Sequence, residues 1–122
     1  MNLLSPQKEL LFAYGTLQYE KEEKVRAASV PGQLRKSPEG DACARFDMPG
    51  MVHGMLLRVS WEALGRYDRR ETGYQRLKVT TMDGQVAWAY HYQKPGWVRF
   101  EWIRDGRWKD EKKEKAKRNV DL

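Results

Sequence analysis

Two short stretches carry the residue types from which a small catalytic site could be built. Phe12-Ala13-Tyr14-Gly15-Thr16-Leu17 reads as an apolar strand running into a glycine turn, where backbone N–H groups can face outward toward an anion. The second stretch, Tyr67-Asp68-Arg69-Arg70-Glu71-Thr72-Gly73-Tyr74-Gln75-Arg76, sets one glutamate where a short helical pattern ends and a strand begins. A rigid scaffold commonly presents its reactive side chains at such a junction. Glu71 is therefore the candidate acid or base. Because it stands between Arg69-Arg70 and Arg76, one partner of a structural ion pair is the competing reading.

Other chemistries lack their residues. His53 and His91 lie 38 positions apart on separate predicted strands with no acidic or thiol ligand at metal spacing, so no metal site is expected. No serine or cysteine is accompanied by a triad pattern, no glycine-rich phosphate loop occurs, and no cofactor is called for. Asp68 reads as a helix-end or supporting group rather than a base. Tyr14 has two readings, a contact to a ligand or a core aromatic with its hydroxyl satisfied.

The elements that must position these residues follow from pattern. Leu10–Tyr14 is a short apolar run bounded by Gly15, consistent with a buried strand. Tyr19–Ala28 reads as a surface helix with sparse apolar positions, ended by Val30-Pro31-Gly32. Gln33-Leu34-Arg35 opens a strand, Ser37–Asp41 is a loop, and Ala42–Met48 fits either strand or loop. Met51–Val59 is the longest apolar run and reads as a central strand, with Gly54 marking a bulge or a close backbone approach. Ser60 is placed to cap a short helix presenting Trp61, Leu64 and Tyr67 to the sheet. Leu77–Thr81 and Val86–Tyr92 form a hairpin across Asp83-Gly84, and the second strand is apolar on both faces, as in a sandwiched position. Trp97–Ile103 alternates as a strand would, and Asp105-Gly106 turns the chain before Trp108. Such an order predicts an α+β domain over residues 1–108, a mostly antiparallel curved sheet or small β-barrel with one or two helices outside it. Residues 109–122 collapse to charge with no apolar face, the pattern of a tail.

Composition narrows the classes further. A chain of 122 residues is long enough for one self-sufficient core. The single cysteine, Cys43, cannot form an internal disulfide and reads as a small buried hydrophobe. The N-terminal residues lack a signal-peptide pattern, and no run approaches the ~20 apolar residues of a membrane span, so a soluble cytoplasmic protein is expected. A net charge of +6 with five tryptophans and six tyrosines suggests nucleic acid. Mixed-sign runs such as Glu20-Lys21-Glu22-Glu23-Lys24 and the strand spacing of most aromatics argue against it. Nothing in the pattern specifies an oligomeric state.

Taken together, Tyr14-Gly15-Thr16-Leu17, Gly32, His53-Gly54, Asp68-x-x-Glu71, Tyr74-x-Arg76, the aromatic strand at Trp88 and Tyr90, and Gly106-x-Trp108 resemble the γ-glutamylcyclotransferase-like superfamily, of the γ-glutamylamine cyclotransferase type. The resemblance covers roughly residues 10–108 and rests on order and spacing rather than any single motif. It implies a small β-barrel with external helices and release of 5-oxoproline from a small-molecule γ-glutamyl substrate. In that role Glu71 is implied as general acid/base, and Tyr14, Gly15, Thr16 and Leu17 as the substrate-binding turn. Two departures bear on substrate choice rather than fold. Thr72 intervenes before Gly73, where the family often places a glycine directly after the glutamate. Gln18-Tyr19-Glu20-Lys21 lacks the Gly and His often found there. The alternatives are a catalytically inactive metabolite-binding protein of the same fold and a basic nucleic-acid-associated module using the tail.

Overall fold

The structure is a computed structural model that describes residues 8–110. The reading of residues 1–7, and of the tail beyond Lys109 and Asp110, lies outside the described residues. Nine elements organise the rest: β1 (Lys8–Ala13), β2 (Glu23–Pro31), β3 (Gln33–Lys36), β4 (Ala42–Arg45), β5 (Met51–Ser60), α1 (Trp61–Arg70), β6 (Tyr74–Thr80), β7 (Val86–Tyr92) and β8 (Glu101–Trp102), with 3-10 turns at Thr16–Tyr19 and Trp97–Arg99. Among the described residues they form a five-stranded sheet in the order β2-β5-β1-β7-β6 and a three-stranded sheet in the order β4-β3-β8. All pairings are antiparallel except that of β1 with β7. This is the expected α+β architecture in its open, curved-sheet form.

Strand alternation sends side chains to two separate cores. Phe12 of β1 and Tyr14 just beyond its end, Val52 and Leu56 of β5, and Ala87 and Ala89 of β7 meet Leu34 and Ala44 of the small sheet. On the opposite face Leu11, Leu57, Val59 and Tyr90 meet Ala63, Leu64 and Tyr67 of α1. Thus β7 is covered on both sides, which explains why both of its faces are low in charge. Each fully buried leucine, such as Leu11, Leu57 or Leu64, contributes about 2 kcal/mol by leaving water.

The helix starts where its cap predicts. Ser60 is extended and its hydroxyl accepts from the Ala63 N–H at 3.1 Å. Ser60→Ala is expected to cost about 1 kcal/mol, read as a lower Tm, without changing the fold. The buried face of α1 is Ala63, Leu64 and Tyr67, whereas Trp61 is 48% exposed and lies edge-on to Trp88 at 6.2 Å.

Three other expectations need correction or completion. Tyr19–Ala28 is not a helix: its first residue ends a 3-10 turn, and from Glu23 the chain is strand β2. β2 lies at the sheet's end, so its first five residues are exposed and show no apolar alternation. A register shift between Lys24 and Arg26 scrambles the pattern further, and charged edge residues such as Glu23 and Lys24 mimic a solvated helix. The alternation at Trp97–Ile103 also misleads. The 3-10 turn buries Trp97 and leaves Val98 exposed, so only Glu101–Trp102 pair as strand. Trp97 is drawn inward because its indole N–H donates to the Cys43 carbonyl at 2.9 Å while Arg35 and Arg45 stack on its ring at 4.7 and 4.9 Å. The open Ala42–Met48 segment resolves into β4 at Ala42–Arg45 followed by a turn over residues 46–48. No helix among the described residues is long and apolar enough to cross a membrane.

Candidate active site

Strand β1 ends by delivering Tyr14 to a turn that tightens at once into the 3-10 segment Thr16–Tyr19. The first N–H groups of any helical segment have no acceptor within it, so the start of this turn leaves donors for a partner outside the segment. Gln18 locks the turn from behind, its amide donating to the carbonyls of Tyr14 at 2.9 Å and Gly15 at 3.2 Å. Gly15 is required by space: a Cβ there would stand 2.7 Å from the Ala42 Cβ.

β4 forms the facing wall, and three aromatic side chains hold its backbone. The Tyr74 hydroxyl donates to the Ala42 carbonyl at 2.7 Å, the Trp97 indole to Cys43, and the Ala44 N–H donates to the Tyr14 hydroxyl at 3.3 Å. Tyr14 in turn donates its hydroxyl proton to the Tyr90 carbonyl at 2.5 Å, tying β4 to β7. Its hydroxyl is thereby spent inside the protein, and burial pushes its pKa far up. Cys43 is fully buried and its thiol is also pushed up by burial, the state of a structural cysteine.

Glu71 caps the C-terminal end of α1, where its N–H donates to the Tyr67 carbonyl at 2.8 Å and its carbonyl accepts from the Tyr74 N–H at 3.3 Å. Its side chain is 23% exposed. Burial raises the carboxyl pKa; the Arg70 charge pulls it back, and the carboxylates of Asp41 and Glu20 push it up again. Arg70 is a weak partner because its Nε sits 3.8 Å from Glu71, while its Nη2 holds Glu20 at 2.7 Å. Asp68 instead belongs to a supporting network. It accepts from both the Nε and Nη2 of Arg76, at 2.9 and 3.1 Å, and from the Tyr90 hydroxyl at 2.7 Å. Burial pushes the Asp68 carboxyl up, but the hydrogen bonds from Arg76 and Tyr90 outweigh it and hold the group below the usual carboxylate range. Asp68→Asn should weaken the Arg76 fork and cost about 1 kcal/mol of stability, measured by chemical unfolding.

All five residues singled out in the sequence, Tyr14, Gly15, Thr16, Leu17 and Glu71, line one cleft that is partly open to solvent. Phe12, Asp41, Ala42, Tyr74 and Tyr90 complete its lining. Of these, Tyr74 and Tyr90 stood within motifs already noted, whereas Asp41 carried only the signal of a loop residue. His53 and His91 are engaged elsewhere, with Ser29 at 2.7 Å and the Phe46 N–H at 3.1 Å. Among the described residues no three His, Cys, Asp or Glu side chains are grouped to hold a metal ion.

A family model described as "Gamma-glutamyl cyclotransferase, AIG2-like" matches residues 11–110. The chain belongs to this family. Solved structures agree on the fold. An uncharacterized protein from Pyrococcus horikoshii superposes with a TM-score of 0.69 at 21% identity, covering 88% of this chain and 96% of its own. An AIG2-like protein from Mus musculus gives 0.65 at 18%, covering 80% and 87%. A structure titled γ-glutamyl cyclotransferase gives 0.57 at 19%, covering 79% and 70%. No curated protein sequence matches the chain. Within this family member, the matched span contains the turn, Glu71 and the whole cleft between them.

Proposed function

We propose that this cyclotransferase-family domain releases 5-oxoproline from a γ-glutamyl amine, amino acid or peptide, glutathione included, with Glu71 as general base and then acid. The observation that carries the reading is that Glu71, its pKa raised, and the Gly15–Leu17 turn line the same cleft. The reaction is intramolecular: the substrate's α-amine attacks its own γ-carbonyl, so the protein's task is to fold the glutamyl chain back and hold it. In this reading the backbone N–H groups of the turn grip the α-carboxylate, with the Thr16 hydroxyl alongside. Tyr14 lines the cleft, and its hydroxyl fixes β4 rather than substrate.

The α-amine arrives as an ammonium and must lose a proton before attack. An ordinary glutamate, with a pKa of roughly 4.3 against roughly 7.7–8 for the amine, falls short as a base by more than 3 units, about 5 kcal/mol. Burial narrows that gap by raising Glu71. The ammonium gives one proton to Glu71, and the nitrogen closes onto the γ-carbon. The C–N amide bond then breaks as its nitrogen takes a proton from Glu71. The ring nitrogen keeps one hydrogen, and the third follows the departing amine, which leaves as an ammonium. Incubating the protein with a panel of γ-glutamyl amines, amino acids and peptides and measuring 5-oxoproline tests the reading. Product from at least one compound supports it; binding without product across the panel would replace it with a metabolite-binding role.

A further inference from the structure

The cleft has an interior and a rim of different character. Tyr14 and Tyr90 are buried, whereas Thr16 and Asp41 are exposed at the opening. A glutamyl group anchored on the turn with its amine at Glu71 occupies the interior, and the substituent on its amide nitrogen must lead out past the rim. Asp41 lines that rim. The Asp41 backbone is committed to its own loop, its N–H donating to the Ser37 hydroxyl and its carbonyl accepting from the Ser37 N–H, both at 3.0 Å. Its carboxylate has no hydrogen bond or ion pair among the described residues. Arg70, the cation nearest Glu71, is held by Glu20. The rim therefore carries a carboxylate without an ion-pair partner among the described residues, and its charge is felt inside the cleft, where with Glu20 it pushes the Glu71 carboxyl up.

We infer that Asp41 selects the leaving group, favouring γ-glutamyl amides whose departing portion is positively charged, such as the monoamide of a diamine, over those whose departing portion is an anionic amino acid or peptide. The inference rests on the cyclotransferase reading and gives that site a substrate class. Attraction and rejection both contribute: a carboxylate at the rim pairs with an ammonium, and it repels a carboxylate arriving at the same place. Asp41 thus acts on the part of the substrate that takes no share in ring closure, so its effect belongs in KM more than in kcat.

The test uses three substrates of similar size, a γ-glutamyl monoamide of a diamine, the neutral γ-glutamyl butylamide and γ-glutamylglycine, with the native protein, Asp41→Asn and Asp41→Lys. Reading kcat/KM as ratios between substrates cancels any common effect transmitted through Glu71. The native protein should prefer the diamine derivative. Asp41→Asn should reduce the diamine-to-glycine ratio by about three- to tenfold, chiefly through KM, in keeping with a half-screened charge pair. Asp41→Lys should invert the preference, and added salt should shrink both effects. Equal native efficiency on the charged and neutral substrates, or an equal loss on all three in Asp41→Asn, would overturn the assignment while leaving the cyclotransferase reading intact. Turnover of none of the three while another γ-glutamyl compound still yields 5-oxoproline would overturn the assignment alone; no 5-oxoproline from any γ-glutamyl compound would overturn both.

Discussion

Glu71→Gln is expected to abolish 5-oxoproline release, by about a hundredfold to ten-thousandfold in kcat, while the protein still folds and binds substrate. Glutamine keeps the shape and the backbone hydrogen bonds at the end of α1 but cannot accept the ammonium proton. Native activity should rise with pH as the raised Glu71 carboxyl ionises, and the variant should lose that limb. Stability should move the other way. A carboxyl whose pKa is raised on folding binds more protons in the folded than in the unfolded state. Its contribution is present below the unfolded value and is lost as pH rises through the folded one. At neutral pH the ionised Glu71 is therefore a cost to the fold, and Glu71→Gln should unfold at a Tm no lower than the native protein. A variant retaining most activity, with the same pH profile, would remove Glu71 from the base role and return it to the ion-pair reading. The geometry already weighs against that reading, because Arg70 lies closer to Glu20 than to Glu71.

What the sequence revealed of this site follows from which constraints are local. Gly15 sits where a strand stops, Ser60 caps the helix that ends at Glu71, and Asp83-Gly84 closes the β6–β7 hairpin; each is legible because neighbouring residues impose it. The strand β2 was not legible, because an end strand exposed along most of its length has no buried face to write an alternation. The strand reading of Trp97–Ile103 and the inward reading of Trp61 mislead for the converse reason. The burial of each tryptophan is decided by other residues: Cys43, Arg35 and Arg45, far along the chain, draw Trp97 in, while Ala63 takes the inward position near the start of α1 and leaves Trp61 outside. Asp41 was invisible as a site residue because only the pinning of β4 by Tyr14, Tyr74 and Trp97 brings its loop across from Glu71.

Gly54→Ala is expected to destabilise the protein by about 3 kcal/mol, lowering Tm by roughly 10 °C or more, and to reduce activity beyond what the lost folded fraction explains. Gly54 lies inside β5 and pairs with Ala28 of β2 without a bulge, so the backbone there is regular. The close approach is on the other side. A Cβ at Gly54 would stand 2.3 Å from the carbonyl oxygen of Ala13 and 3.1 Å from the Phe12 ring. A side-chain tip could swing away from such a clash, but a carbonyl held within the sheet can yield only if β1 moves. β1 moves at its most sensitive point, since Ala13 immediately precedes Tyr14 and the turn that faces Glu71. The shift would pull the Tyr14 hydroxyl from Ala44 and Tyr90 and so loosen the β4 wall as well. Measured under conditions where the variant is fully folded, its KM should rise more than its kcat falls, because the damage is to the turn rather than to the base. A loss of stability with unchanged KM would show that β1 absorbs the strain without transmitting it to the cleft.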